Sequence, residues 1–95
     1  MIHADALGRL SHQHRVRRLE LFGSAARLEA NPGDYDFLVE FEEMPPLEHG
    51  RAYLSLLAAL EKLLERPVDL LETRSITNPY FLQAIEADRR LIYAA

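Results

Sequence analysis

The chain has 95 residues, 48% of them apolar and 27% charged, a balance that fits one globular domain with a small core. It contains no cysteine, which excludes disulfides, thiolate chemistry and cysteine-based zinc sites. Its net charge of −4 argues against non-specific nucleic-acid binding, which needs a surplus of lysine and arginine to release counterions.

The first helix is expected from Ala4 to His14, where Leu7, Leu10 and His14 share a face and Gly8 weakens the pattern. Arg17 to Phe22 then alternates, with Leu19 and Leu21 on one side and Arg18 and Glu20 on the other, as a strand does. Gly23-Ser24 ends it, and Ala25-Ala26-Arg27-Leu28 starts a short helix for which Ser24 suits the cap region. Asn31-Pro32-Gly33 signals a turn. A second strand runs from Tyr35 to Phe41, with Phe37, Val39 and Phe41 on one face and Asp34, Asp36, Leu38 and Glu40 on the other.

Met44-Pro45-Pro46 breaks that strand, and a long helix follows from Leu47 to Glu65. Tyr53, Leu56, Leu57, Leu60, Leu63 and Leu64 form its core stripe, which Leu54 and Ala58 widen. Pro67 ends it, and Val68 to Glu72 makes a third strand. Thr77-Asn78-Pro79 opens a last helix with an apolar side of Phe81, Leu82 and Ile85. Leu91-Ile92-Tyr93 closes the chain as a short strand or packed tail. The expected fold class is α/β (α+β): a small mixed sheet of three to four strands packed on helices in one domain spanning residues 1–95.

No apolar run approaches the roughly 20 residues that span a bilayer. Met1 to Asp5 lacks the basic and apolar blocks of a signal peptide, so the expected setting is the cytoplasm. A core this small leaves apolar surface exposed, which gives room for an oligomer or a partner subunit.

Three short features carry chemistry. Gly23-Ser24 lets backbone approach a phosphate, aims N–H groups outward and adds a hydroxyl; a plain strand-to-helix turn has the same two residues. It is not a P-loop, because no Gly-Lys-Ser/Thr follows. Asp34 and Asp36 project from one strand face, roughly 7 Å apart along the backbone, and two crowded carboxylates favour a proton or a cation between them. The other reading is a solvated strand mouth, although Phe37-Leu38-Val39 makes the strand beyond it buried. Asp69 lies within the apolar run Val68-Asp69-Leu70-Leu71, where a metal or a pairing with Arg66 or Arg74 would balance its charge.

Taken in order, Leu21-Phe22-Gly23-Ser24-Ala25-Ala26-Arg27, Asp34-Tyr35-Asp36-Phe37-Leu38-Val39-Glu40-Phe41 and Val68-Asp69-Leu70-Leu71 resemble the minimal nucleotidyltransferase (MNT) family of the DNA polymerase β superfamily. The stretch from Asn78-Pro79-Tyr80 to Leu91-Ile92-Tyr93 also resembles that family's ending. The resemblance implies a nucleotidyltransferase palm fold. It implies that Gly23, Ser24 and Arg27 bind a nucleoside triphosphate, with ATP as substrate. It further implies that Asp34, Asp36 and Asp69 ligate Mg2+ and that Asp69 draws the proton from an attacking hydroxyl. Leu28 and Gly33 depart from the family's usual Gly and Ser, and the loop between the two motifs is slightly shorter.

The same resemblance implies transfer of AMP to a tyrosine of a HEPN-type toxin partner, with this chain as the antitoxin. A non-catalytic antitoxin that neutralises by binding is the alternative. A small-molecule nucleotidyltransferase is a third reading, against which the short chain argues. His12, His14 and His49 are expected at the surface, Arg15, Arg17 and Arg18 at a charged helix exit, and Tyr53 and Tyr80 in the core or at its rim.

Overall fold

Four strands form one mixed sheet, with parallel and antiparallel pairs. The computed structural model describes residues 3–27 and 33–95. The chain runs α1 (Ala4–Gln13), β1 (Val16–Phe22), α2 (Gly23–Ala26), β2 (Tyr35–Phe41), α3 (Pro46–Leu64), β3 (Val68–Glu72), a 3-10 turn (Thr73–Ser75), α4 (Pro79–Ile85) and β4 (Arg90–Ala94). β1 pairs antiparallel with both β2 and β4. β2 and β3 are parallel, so α3 serves as the crossover between them. Leu28 and the Asn31-Pro32 part of the expected turn lie outside the described residues.

The two faces of the sheet are covered unequally. One face buries Leu19, Leu21, Phe37, Val39, Phe41 and Leu70 against Leu7 of α1 and Leu56, Leu60 and Leu64 of α3. The other buries Phe22 and Leu38 under Ile85, with Phe81 and Leu82 of α4 beside them. Phe22 and Phe81 meet edge to face, 5.9 Å between ring centres.

Local chemistry sets the helix limits. α3 starts with Pro46, whose missing N–H belongs to the first turn, and ends at Glu65 in the left-handed region with φ 55°. Asn78 caps α4 by accepting the Tyr80 N–H at 2.9 Å, with Pro79 in the first helical position. Ser11 is buried in α1 and donates to the Leu7 carbonyl at 2.8 Å, so a polar group completes the inner face of that helix.

Several expectations need correction. Leu54 is 65% exposed and Ala58 is exposed, so the α3 stripe is no wider than Leu56, Leu60 and Leu64 with their half-buried neighbours. Ser24 is not the cap of α2: the helical turn begins one residue earlier, at Gly23, and Phe22 occupies the cap position. Tyr80 is 76% exposed because Phe81 and Leu82 take the inward side of α4. His14 is half-buried, its ring bridging the Leu10 carbonyl at 2.7 Å and Ser55 Oγ at 2.9 Å. His49 is likewise inside, packed edge-on to Phe41 and hydrogen-bonded to Glu72. Arg17 and Arg18 belong to β1 rather than to a helix exit, and Arg15 pairs with Glu48 at 3.3 Å.

Among the described residues no helix is long and apolar enough to cross a membrane. Truncating Leu56, fully buried, is expected to cost about 2 to 5 kcal/mol as Leu56→Ala. Leu54→Ala, two positions away, should change stability by less than about 0.5 kcal/mol. Urea unfolding of the two variants measures the difference.

Candidate active site

The strand register assembles the site. β1 places Phe22 opposite Asp36, and the parallel pair places Asp36 opposite Asp69. Gly23, the residue after Phe22, therefore arrives at the same sheet end as both acids. Asp34 precedes β2, where the Tyr35 N–H donates to the Pro67 carbonyl at 3.0 Å and ties that end to β3. One carboxylate oxygen from each of Asp34, Asp36 and Asp69 lies within 4.8 Å of the others. Such an all-oxygen, triply anionic set suits a hard divalent cation.

The acids have no arginine to balance them from the two positions the sequence suggested. Arg66 donates to the Glu65 carbonyl at 2.8 Å, and Arg74 lies against Glu72 and His49. The carboxyl of Asp36 is pushed up to about 6. Burial is the largest cause, followed by repulsion from Asp34 and then by a hydrogen bond to Asp69 and repulsion from it. A cation would remove this repulsion, so the geometry and the charge balance fit a metal ion.

Gly23 is required twice over. Its φ is +76°, a region that side-chain-bearing residues rarely adopt. A Cβ there would also stand 2.5 Å from Asp36 Oδ2. The backbone of the turn thus runs directly against the acid row. Ala25 and Ala26 anchor the turn in the core and leave Gly23 and Ser24 half-exposed above it. The opening N–H groups of a helical turn lack partners within it, so they are available to an anion.

Arg27 closes the turn, its N–H donating to the Gly23 carbonyl at 3.2 Å. Its guanidinium meets Asp88 at 2.9 Å. Asp88 lies in the turn between α4 and β4 and was not expected at the site. It is 61 residues from Arg27, and no local period or motif signals the contact. The next residue, Arg89, grips Glu20 in mid-β1 with two bonds of 2.9 and 3.2 Å. Burial raises the pKa of Glu20, but the Arg89 fork and then Arg18 outweigh it and hold the carboxyl below its ordinary range.

Comparisons with known proteins show the family and the fold. The family model described as polymerase beta, nucleotidyltransferase matches residues 8–95. A Methanocaldococcus jannaschii protein described as a candidate protein adenylyltransferase, MJ1379, is 42% identical over 85 residues, covering 88% of this chain and 82% of its own. A solved structure described as a candidate minimal nucleotidyltransferase is 34% identical, with a TM-score of 0.65 over 92% of this chain and 86% of that one. Two more distant structures, each 18% identical, share the fold. A toxin–antitoxin structure with AMP-PNP gives a TM-score of 0.73 over 99% of this chain and 75% of that one. A complex of an MNT antitoxin with a tri-AMPylated HEPN toxin of Shewanella oneidensis gives 0.68 over 99% and 71%.

Two outcomes test the geometry. Gly23→Ala should lose about 1 to 3 kcal/mol through backbone strain, besides the collision with Asp36, and thermal unfolding would register it. The raised carboxyl of Asp36 gives a pH signature. Between about pH 4 and 6 the folded state holds a proton that the unfolded state has released, so this group's contribution to stability falls as pH rises. Without metal, Asp36→Asn should therefore melt above the wild type at pH 7, and the gap should close below pH 4. A gap that stays constant with pH would contradict the assignment.

Proposed function

This chain belongs to the polymerase β nucleotidyltransferase family, and we propose that it transfers AMP from ATP to a tyrosine hydroxyl of a HEPN-type toxin, as the antitoxin of the pair. The observation that carries this reading is the row of Asp34, Asp36 and Asp69 against the Gly23 turn. Support for adenylyl transfer to protein comes from the description of the 42% identical relative. Support for the toxin partner comes from the AMPylated HEPN toxin bound to an antitoxin of the same fold.

In this reading Asp34, Asp36 and Asp69 hold Mg2+, whose preference for carboxylates, phosphate oxygens and water matches the donor set. When bound, the ion offsets charge on the triphosphate and on the departing pyrophosphate. The Gly23 turn binds phosphate oxygens through its N–H groups, and the Ser24 hydroxyl adds a donor. Arg27 brings a positive charge to the same turn. Asp69 is exposed, where a hydroxyl presented from outside can reach it, and its carboxylate takes the proton of the attacking tyrosine. The tyrosine oxygen bonds to the α-phosphorus, the bond to the bridging oxygen breaks, and pyrophosphate leaves. The cytoplasm, with its ATP and Mg2+, is the compartment this reaction requires.

Mass spectrometry tests the proposal. The chain, ATP and Mg2+ incubated with the purified toxin partner should add AMP to that partner. Replacing both strand acids, as Asp34→Asn with Asp36→Asn, should reduce the rate by at least about a hundredfold, because these groups act on the charge that develops in the transition state. No added mass, together with neutralisation that persists in the double variant, would instead establish an antitoxin that works by binding alone.

A further inference from the structure

The turn between α4 and β4 connects two charged contacts that lie on different elements. Asp88 reaches α2 through Arg27, and Arg89 reaches β1 through Glu20. The turn is itself fixed, since the Asp88 and Arg89 N–H groups both donate to the Ile85 carbonyl, at 3.0 and 3.1 Å. Ile85 is buried against Phe22 and Leu38. The mount for Asp88 is therefore rigid on both sides: an apolar anchor before it and a two-bond fork after it, made to a glutamate whose side chain is only 8% exposed.

Arg27 differs from that mount, with a side chain 49% exposed. An ion pair at such a surface position adds little to stability, because water screens the charges and both side chains lose rotamer freedom. Its value lies in orientation. A long side chain that is already placed loses less freedom when it meets a ligand, so affinity rises with preorganisation. Gly23 begins and Arg27 closes the same single helical turn, and Gly23 stands against Asp36, so the residue that carries the held guanidinium is one helical turn along the chain from the contact with the acid row.

We infer that Asp88 is a positioning residue, holding Arg27 in place for the triphosphate of the bound nucleotide, with Arg89 and Glu20 fixing Asp88. The inference rests on the proposed nucleotidyl-transfer reading, in which Arg27 meets phosphate. It assigns a part in nucleotide binding to the α4–β4 turn, which lies far along the chain from all three acids. It also sets the sign of the effect. Asp88 is an anion near an anionic ligand, so simple electrostatics makes its removal favourable to binding. Positioning makes its removal unfavourable.

Isothermal titration of MgATP into the purified chain separates these. Asp88→Asn should weaken binding roughly two- to fivefold, the scale of one exposed charge pair. Asp88→Glu should restore most of it. In an Arg27→Gln background Asp88→Asn should have no further effect, and the melting temperature should stay near that of each parent. In transfer assays the change should fall on the KM for ATP more than on kcat. Unchanged or tighter MgATP binding by Asp88→Asn overturns the inference, as does an equal loss in both backgrounds. A wild type that shows this coupling yet modifies no partner keeps the inference and refutes the proposed acceptor. A wild type that binds no MgATP refutes both.

Discussion

Three carboxylates held together, with no arginine or lysine paired to them among the described residues, are the constraint on which the rest of this structure turns. They are brought together by strand pairing and not by any attraction among themselves. β2 is the strand that enforces it: Asp36 faces Phe22 across one edge and Asp69 across the other. The same strand sends Phe37 and Val39, both fully buried, into the opposite face. Side chains alternate along a strand, so a one-residue slip would turn Asp36 into that apolar layer and expose Phe37. The core therefore fixes the site. Burial of Phe37 and Val39 against α1 and α3 is what keeps the acids in one row despite their mutual repulsion, and a bound cation would turn that repulsion into attraction.

The unequal covering of the sheet follows from the same arrangement. α1 and α3 close one face, while on the other α4 rests over Phe22 and Leu38. Beside α4, Asp69 and Leu71 point outward from the edge strand, and Leu71 is 38% exposed. A site open on that side suits an acceptor too large to enter a cleft. The pair of buried Glu20 and half-buried Arg89 occupies this same α4 face. An ion pair of this kind is weak as a source of stability, since desolvation offsets most of the attraction. What it does is fix the α4–β4 turn at one place on β1.

Much of this was legible in the sequence, for a reason that has to do with range. The first two strands announced themselves by a period of two, and α3 by its leucine stripe, because these patterns are local, whereas Leu91-Ile92-Tyr93 fitted a strand or a packed tail equally. The acids were legible as well: Asp34 and Asp36 share a face by spacing alone, and an aspartate within Val68-Asp69-Leu70-Leu71 calls for a partner. What sequence could not supply was contact between distant side chains. Arg89 and Glu20 are 69 residues apart, Arg27 and Asp88 61 apart, and nothing in the local pattern of either member marks the other. His49 misled for the same reason. Its place in the first turns of a helix suggests solvent, but Phe41 and Glu72, from two different strands, enclose it. Leu54 misled in the opposite sense, since a leucine in a leucine-rich helix is apolar wherever it points.

Charge ties the fold to the proposed chemistry. With a net charge of −4, the chain as a whole repels a triphosphate, and its acid row repels it most. Long-range steering cannot bring such a ligand in; binding has to come from contacts at short range. The structure concentrates them in one place. Backbone N–H groups carry no net charge and cannot be neutralised, and Gly23, having no Cβ, lets the turn that carries them lie beside Asp36. A cation between acids and phosphates serves both at once, since each is the other's missing counter-charge. The same balance bears on the acceptor. A nucleic-acid strand would add further negative charge along its length to an already anionic surface, whereas a tyrosine hydroxyl adds none. In a chain of net charge −4, a neutral hydroxyl on a protein is the acceptor that costs least to bring to the acids.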